Sequence, residues 1–157
     1  LHSFPTRRSS DLCSKFDSSN MEATVTVSRC GDPRCLTCKN ILVGPSVQIT
    51  ETKVFYVKQN LNCNSKDVVY VIICSGCNEK YIGKTELKLK GRMNLHRSNI
   101  NQPQNRNIPL SQHLDECGNG QFSVFPMYKV NSGDKNILEA KESRFIQIFT
   151  PKLNART

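Results

Sequence analysis

The sequence has no tryptophan, comparatively few acidic residues and no long apolar run. Its longest apolar stretch, residues 68–74, is far shorter than the roughly 20 residues of a membrane-spanning helix, which excludes a transmembrane segment here. The 13 Asp and Glu residues are outnumbered by 22 Lys and Arg residues, for a net charge of +9. This surplus favours a polyanionic partner over a merely solvated basic surface, because each neutralised phosphate releases counterions. The 157 residues suffice for one compact domain and a small satellite.

The N-terminal residues are set apart by their composition. Residues 2–12 are rich in Arg and Ser, but they have neither the apolar core nor the amphipathic repeat of a targeting peptide. They resemble a translated sequencing adapter, and we interpret residues 1–12 as an artefact that precedes the C-terminal part of a longer open reading frame. Residues 13–29 are expected to be disordered, except for a short strand that the alternation in residues 22–27 predicts.

Cysteine is abundant and clustered. Cys13 and Cys117 stand apart, and six of the eight cysteines form closely spaced groups: Cys30, Cys35, Cys38, Cys63, Cys74 and Cys77. In a reducing compartment such groups hold Zn²⁺ more often than they form disulfides, since two intervening residues let both thiolates of a pair reach one tetrahedral ion. The clustering therefore predicts structural zinc and argues against a disulfide-linked extracellular protein.

Two partitions of these ligands remain open. In the first, two pairs form a single four-thiolate site: Cys35, Cys38, Cys74 and Cys77. In the second, Cys30, Cys35 and Cys38 form one site together with Cys63. Cys74 and Cys77 then form another site with a further ligand.

A boundary near residues 60–66 divides the chain. Residues 30–66 are predicted to form a Cys-rich, zinc-binding linker, which includes a β-rich stretch at 47–57 that is interrupted at 51–52. Residues 67–157 are predicted to form the second and larger domain.

Three strands are predicted in that domain. Residues 68–73 are apolar and mostly β-branched, which is typical of a buried central strand. Residues 80–82 predict a second strand that completes an antiparallel hairpin and ends at Gly83. Residues 122–130 predict a third strand, which Pro126 places at an edge because proline has no N–H to donate.

Helices alternate with these strands. Thr85 is expected to cap a helix that runs to about residue 100, Pro109 begins a short helix to about residue 117, and residues 136–149 predict a second long helix. The predicted fold class is α/β (α+β): a small three-stranded antiparallel sheet flanked by helices and preceded by a zinc-binding Cys-rich segment.

Glu142 is the first candidate functional residue. It lies in the middle of the apolar stripe of the last helix, which comprises Leu138, Phe145, Ile146 and Phe149. An ionised carboxylate in such a position is costly unless it is paired with a cation. A salt bridge to a buried arginine is one solution. The other is a divalent metal, since one carboxylate plus waters is an ordinary way to hold Mg²⁺.

Arg92 and His96 are four residues apart and share one helical face. A guanidinium in that position can bind a phosphate and stabilise a pentacovalent transition state, and an imidazole beside it can move a proton. Tyr70 and Tyr81 fall on the two strands of the predicted hairpin. A phenol near a cation has a lowered pKa and can accept a proton from water. Each of these residues alone also suits a surface or core position.

In chain order, this set resembles the GIY-YIG nuclease family. Tyr81-Ile82-Gly83 matches the second half-motif, and Val68-Val69-Tyr70 matches the first except for its glycine. An arginine and a histidine on the first helix, a glutamate on a later helix and a final asparagine complete the family pattern. The resemblance runs from residue 68 to Asn154.

The resemblance implies a role for each residue. Arg92 would steady the transition state, Glu142 would hold Mg²⁺ or Mn²⁺, and Tyr70 or Tyr81 would act as the general base or support it. His96 would assist proton transfer, and Asn154 would order the site by hydrogen bonds. Lys84, with Gly83 before it, would bind the phosphates of the substrate.

The clustered cysteines indicate a resemblance to one subgroup of this family. The pair at 74–77 between the two half-motifs is similar to the subgroup at the C-terminus of Penelope-like retroelement polyproteins, in which the nuclease follows a reverse transcriptase. The implied function is a metal-dependent DNA endonuclease that nicks one strand, with an intracellular, nuclear location and no membrane association. The alternative is a catalytically decayed, zinc-stabilised nucleic-acid-binding module.

Overall fold

A computed structural model of the chain describes residues 25–102, 104 and 108–154. The interpretation of residues 1–12 as an artefact falls outside the described residues, as do residues 13–24 of the stretch 13–29 that is expected to be disordered. Residues 25–29 are ordered, contrary to that expectation, because Val27 is fully buried and Arg29 Nε donates to Cys38 O at 3.0 Å. The described end of the predicted strand at 22–27 forms no regular strand. Val27 instead makes isolated bridges to Gly44 and Leu61.

The Cys-rich segment contains little regular structure. A 3₁₀ helix, Leu36–Lys39, follows Cys35 directly. Two short strands, β1 (Ser46–Gln48) and β2 (Val54–Tyr56), pair as an antiparallel hairpin. The β-rich stretch with its interruption at residues 51–52 is therefore confirmed.

The second part of the chain is organised around one antiparallel sheet. Its strands are β3 (Val68–Cys74), β4 (Lys80–Thr85) and β5 (Phe122–Lys129), in the order β4-β3-β5. Every residue of β3 is buried, as expected for an apolar central strand. The register of β5 against β3 shifts next to Pro126, which confirms the prediction of a bent edge strand.

Three helices flank the sheet within the described residues: α1 (Leu89–Asn101), α2 (Pro109–Gly118) and α3 (Lys135–Phe149). The predicted α+β architecture is confirmed. Pro109 begins α2 as expected, and Asp134 caps α3 by accepting a hydrogen bond from the backbone N–H of Asn136. None of the described helices has the length and apolar character needed to cross a membrane.

The connection between β4 and α1 differs from the prediction. Gly83 does not end β4, because it pairs with Tyr70 and the strand continues to Thr85. Thr85 does not cap α1 either, because its pairing with Val68 keeps it in the sheet. Its hydroxyl accepts a hydrogen bond from Leu87 N at 3.0 Å, and the N-cap position is taken by Lys88, which makes no side-chain cap.

Helix α1 packs against the sheet through one face. Its buried residues recur at the spacing of a helical stripe: Leu89, Met93, His96 and Ile100. The polar member, His96, is thereby held against the centre of β3, where a hydrogen-bond partner is needed.

Candidate active site and metal-binding groups

The hydroxyl of Tyr70 is the meeting point of two helix side chains. Its oxygen lies 2.9 Å from Nε2 of His96, and Arg92 Nε donates to the same oxygen at 3.3 Å. Tyr70 is 0% exposed in the middle of β3, and its two partners stand one turn apart on α1. Since Arg92 uses a lone pair of the phenol oxygen, the phenol hydrogen can be donated to Nε2, which places the imidazole proton on Nδ1.

Burial determines the charge state of this group. It lowers the pKa of His96 to about 4, with further contributions from Arg92 and Arg97, so the imidazole is neutral at pH 7. Burial also raises the pKa of Tyr70, although Arg92 opposes the shift. For Arg92, burial acts to lower the pKa, but Tyr70, Tyr81 and Glu142 outweigh it and raise the pKa. The result is a permanent cation beside a neutral phenol and a neutral imidazole.

Tyr81 and Gly83 complete the aromatic group. The His96 ring meets both tyrosine rings edge-on, with centroids 6.0 Å from Tyr70 and 6.5 Å from Tyr81. A Cβ atom on Gly83 would lie 2.8 Å from the Tyr70 hydroxyl and 2.9 Å from Cε2 of Tyr81. The absence of a side chain at Gly83 therefore makes room for both phenols. Tyr81 remains half-buried, whereas Tyr70 is shut off from water.

Glu142 is a half-buried carboxylate on α3. Burial raises its pKa, Lys84 and Arg92 act in the opposite direction, and Glu139 adds to the rise. Across residues 25–102, 104 and 108–154, no lysine or arginine forms an ion pair with it. The salt bridge considered as an alternative for this residue is thus not seen in the described structure.

A cleft of about 410 Å³ opens beside Arg92. Its lining comes from the end of β4, the following turn, α1 and α3: Lys84, Thr85, Glu86, Leu87, Arg92 and Leu138. Lys84 is half-buried and contributes positive charge close to Glu142. The cleft can therefore admit an anionic backbone to Arg92.

Asn154 fastens the end of the chain to β4. Its Oδ1 accepts from Ile82 N at 2.8 Å, and its Nδ2 donates to Ile82 O at 2.9 Å. Leu153 N also donates to Lys80 O at 3.1 Å. The tail thus pairs along the free edge of β4 on both sides of Tyr81, which restricts the position of that strand.

Four cysteines converge in the N-terminal segment. Their sulfur atoms lie within 4.8 Å of one another: Cys30, Cys35, Cys38 and Cys63. The Sγ of Cys38 is 3.5 Å from that of Cys30 and 3.7 Å from that of Cys63. No disulfide forms among the described cysteines.

A second group contains two candidate metal ligands that the sequence patterns did not predict. Cys74 and Cys77 meet His113 and Cys117 of α2, with all four ligand atoms within 4.8 Å and Cys77 Sγ 3.2 Å from His113 Nε2. Of the two partitions, the structure matches the one that pairs the upstream cysteines with Cys63. The signal for the missing ligands is the spacing of four residues that places His113 and Cys117 on one helical face.

Two glycines allow this second group to assemble. A Cβ on Gly76 would overlap the carbonyl group of Cys117, and one on Gly118 would lie 3.1 Å from Cys74 Sγ. The turn between β3 and β4 therefore rests directly on the last turn of α2, which brings the two pairs of ligands together.

Comparison with known proteins gives one finding. The family model of the GIY-YIG catalytic domain matches residues 66–154, which is more than half of the 157 residues. Neither the curated proteins nor the solved structures contain a match to this chain. The family consists of phosphodiester-hydrolysing endonucleases, and all six residues of the predicted catalytic set fall within the match. The match to the family model, together with the tyrosine hairpin and the helix that carries Arg92 and His96, shows that the chain belongs to the GIY-YIG family.

Proposed function

We propose that this chain hydrolyses DNA phosphodiesters in the presence of Mg²⁺ or Mn²⁺ and cuts one strand in each event. The observation that carries the proposal is the Tyr70 hydroxyl held between Arg92 and His96, beside a cleft whose lining includes the cations Lys84 and Arg92 together with Glu86. A cation, a proton acceptor and an entrance for an anionic backbone are the components that hydrolysis of a phosphodiester needs.

Arg92 stabilises the charge that develops on the phosphate. Its guanidinium borders the cleft, and its hydrogen bond to Tyr70 leaves further donors for phosphate oxygens. Lys84, on the same cleft wall, holds the substrate backbone. Asn154 keeps β4 and hence Tyr81 in place through its paired hydrogen bonds to Ile82.

Each tyrosine satisfies one of the two requirements of a general base. Tyr81 is half-exposed, so water can reach its phenol. Tyr70 is buried, but its hydroxyl is hydrogen-bonded to Nε2 of His96, whose neutral imidazole accepts the phenol hydrogen in that bond. We therefore assign proton removal to the pair together with His96, and the Phe substitutions described in the Discussion decide which phenol contacts the attacking water.

Glu142 fits the requirements of a divalent-metal ligand. It is half-buried, its pKa is raised by burial, and no described cation pairs with it, so a bound cation would relieve its unfavourable environment. One carboxylate suffices for Mg²⁺, which retains several waters and completes its shell with substrate phosphate oxygens. Bound there, the metal would supply charge stabilisation and a more acidic water.

The two cysteine groups fit structural Zn²⁺. Tetrahedral zinc with Zn–S bonds of about 2.3 Å requires sulfur atoms about 3.8 Å apart. The two close sulfur pairs of the first group lie 3.5 and 3.7 Å apart. We propose two ions, one held by four cysteines and one by Cys74, Cys77, His113 and Cys117.

We also propose a biological setting, which is based on the order of the segments along the chain. A Cys-rich segment before the nuclease domain, with a cysteine pair between the half-motifs, supports a place at the end of a Penelope-like retroelement polyprotein. A reverse transcriptase would then precede it, and nicked nuclear DNA would provide the primer.

The test is nicking of supercoiled plasmid by the full chain with Mg²⁺ or Mn²⁺. Conversion to the open circular form that EDTA prevents, and that Arg92→Ala removes, is the expected result. A folded, zinc-loaded protein that binds DNA without cutting it would instead indicate the decayed binding module.

A further inference from the structure

The first turn of α1 is capped by backbone rather than by a side chain. Lys88 at the N-cap provides no side-chain acceptor. Instead, Leu89 N donates to Ser65 O and Lys90 N donates to Cys63 O, both at 2.9 Å. Cys63 therefore contributes its sulfur to the four-cysteine group and its carbonyl to the helix that carries Arg92.

A second connection lies further along the same helix. Arg97 Nη2 donates to Asn40 Oδ1 at 2.7 Å and to Thr37 Oγ1 at 3.4 Å. Thr37 is fully buried within the 3₁₀ helix that separates Cys35 from Asn40. Nη1 of the same guanidinium donates to Asn94 Oδ1 within α1 at 2.9 Å.

Asn40, the acceptor on the Cys-rich side, is itself hydrogen-bonded to β5. Asn40 Nδ2 donates to Phe122 O at 3.0 Å, and the Arg97 guanidinium lies 5.6 Å from the centroid of the Phe122 ring. Arg97 thus connects α1, the four-cysteine segment and β5 at one point. A further ion pair, Lys90 Nζ to Asp32 Oδ2 at 3.8 Å, is partly exposed to solvent and contributes little.

The two residues of α1 that face Tyr70 lie between these connections. Arg92 follows the capped residue Lys90 by two positions, and His96 directly precedes Arg97. A rotation or shift of α1 would therefore change both contacts to Tyr70 together. Displacements of about 1 Å at a catalytic group can cost about 100-fold in rate.

We propose that Arg97 is a positioning residue for the catalytic helix: through Asn40 and Thr37 it couples the four-cysteine group to the orientation of Arg92 and His96. The activity part of this inference rests on the proposed nuclease function. The structural part, the coupling between the four-cysteine segment and His96, does not depend on it.

The first experiment compares Arg97→Gln with wild type and with Arg34→Gln. Arg34 is an exposed arginine of the Cys-rich segment, so its substitution controls for the loss of one positive charge. For Arg97→Gln we expect kcat for nicking to fall at least tenfold, while KM, zinc content and DNA affinity change less than twofold. Arg34→Gln should retain wild-type kcat. An Arg97→Gln variant with wild-type kcat would overturn the proposal.

A second readout does not require activity. The NMR signals of the His96 imidazole and the hydrogen-exchange protection of the Lys90 amide should change in Arg97→Gln, and both should change in the same direction after Asn40→Ala. The double variant should differ little from either single variant, because both substitutions remove the same hydrogen bond between Arg97 and Asn40. If the wild-type chain does not nick DNA but these signals shift as described, the nuclease proposal fails and the coupling stands. Unchanged signals would remove the coupling.

A third variant covers the case in which Arg97→Gln does not fold. Arg97→Lys keeps the charge but loses the planar fork that reaches Asn40 and Asn94 together. Partial recovery of kcat and of the His96 signals is expected in a folded, zinc-loaded protein. Unfolding of Arg97→Lys as well would mean that the residue serves stability alone, against the proposal.

Discussion

The Tyr70 hydroxyl lies 2.9 Å from Nε2 of His96, and this contact joins the central strand to the helix that carries Arg92. It buries a phenol and an imidazole together, and each provides the other with a hydrogen-bond partner away from solvent. Their shared burial also keeps both groups uncharged at neutral pH, since it raises the pKa of Tyr70 and lowers that of His96 to about 4.

The two tyrosines should respond differently to loss of the hydroxyl. If a tyrosine takes the proton from water, its substitution by Phe should lower the nicking rate about 100-fold or more. Substitution of the supporting tyrosine should lower the rate less. Tyr81→Phe leaves the contact between Tyr70 and His96 intact, whereas Tyr70→Phe removes it. Single-turnover rates between pH 6 and pH 9 measure the difference. Equal, small losses in both variants would show that neither phenol is the base.

Glu142→Gln should abolish nicking without weakening the fold. We expect a rate loss of at least about 100-fold, because the proposed divalent ion would lose its carboxylate ligand. The melting temperature should stay the same or rise, since a half-buried carboxylate without a salt bridge among the described residues is replaced by a neutral amide. Glu139→Gln is the matched control, an exposed carboxylate on the same helix, and should cut at close to the wild-type rate. A marked fall in melting temperature for Glu142→Gln would indicate a structural role.

Two glycines should respond to alanine with opposite signs. Gly83→Ala forces a Cβ to within 2.8 Å of the Tyr70 hydroxyl, so we expect about 1–3 kcal/mol of destabilisation and a loss of nicking. Gly91→Ala places its Cβ no nearer than 4.0 Å to Leu87 and should stabilise α1 by up to about 1 kcal/mol. Urea unfolding of both variants measures the difference. A Gly83→Ala variant of wild-type stability would show that Tyr70 can move without cost.

His96 should make the fold sensitive to mild acid. Its pKa falls from 6.5 to about 4 on folding, so the unfolded chain binds more protons between these values and stability is lost as pH falls through this window. Between pH 7 and pH 5 the expected loss is about 2 kcal/mol more for wild type than for His96→Gln. Urea unfolding at both pH values measures it, and acid effects on the zinc ligands cancel in the comparison. Equal pH dependence of the two proteins would contradict a buried neutral imidazole.

Zinc content should follow the two ligand groups. Native mass spectrometry of the full chain is expected to find two zinc ions, and Cys63→Ser and Cys117→Ser should each lose one of them. Cys13→Ser, at a position that the sequence sets apart from the clusters, should retain both. Retention of two ions in Cys117→Ser would exclude the second group as a zinc site.

Local sequence patterns predicted the elements that depend on local preferences. The β-branched run of β3 can hardly form anything but a buried strand, and Pro109 and Asp134 mark helix starts by their own chemistry. The end of β4 was predicted wrongly for the same reason. Thr85 has the side chain of a helix cap, but its pairing with Val68, distant in sequence, keeps it in the strand.

The sequence by itself determined the order of the chemistry along this chain: two tyrosines on a hairpin, Arg92 and His96 on one helical face, and Glu142 within an apolar stripe. These features follow from the helix and strand periodicity of the side chains, which can be read from residues that are close together in the sequence. Only the tertiary structure decided that Tyr70 bonds to His96, that His113 and Cys117 join the downstream cysteine pair, and that Arg97 reaches Asn40. Such contacts join residues that are far apart in sequence, so they exist only once packing of the sheet against the helices has placed them.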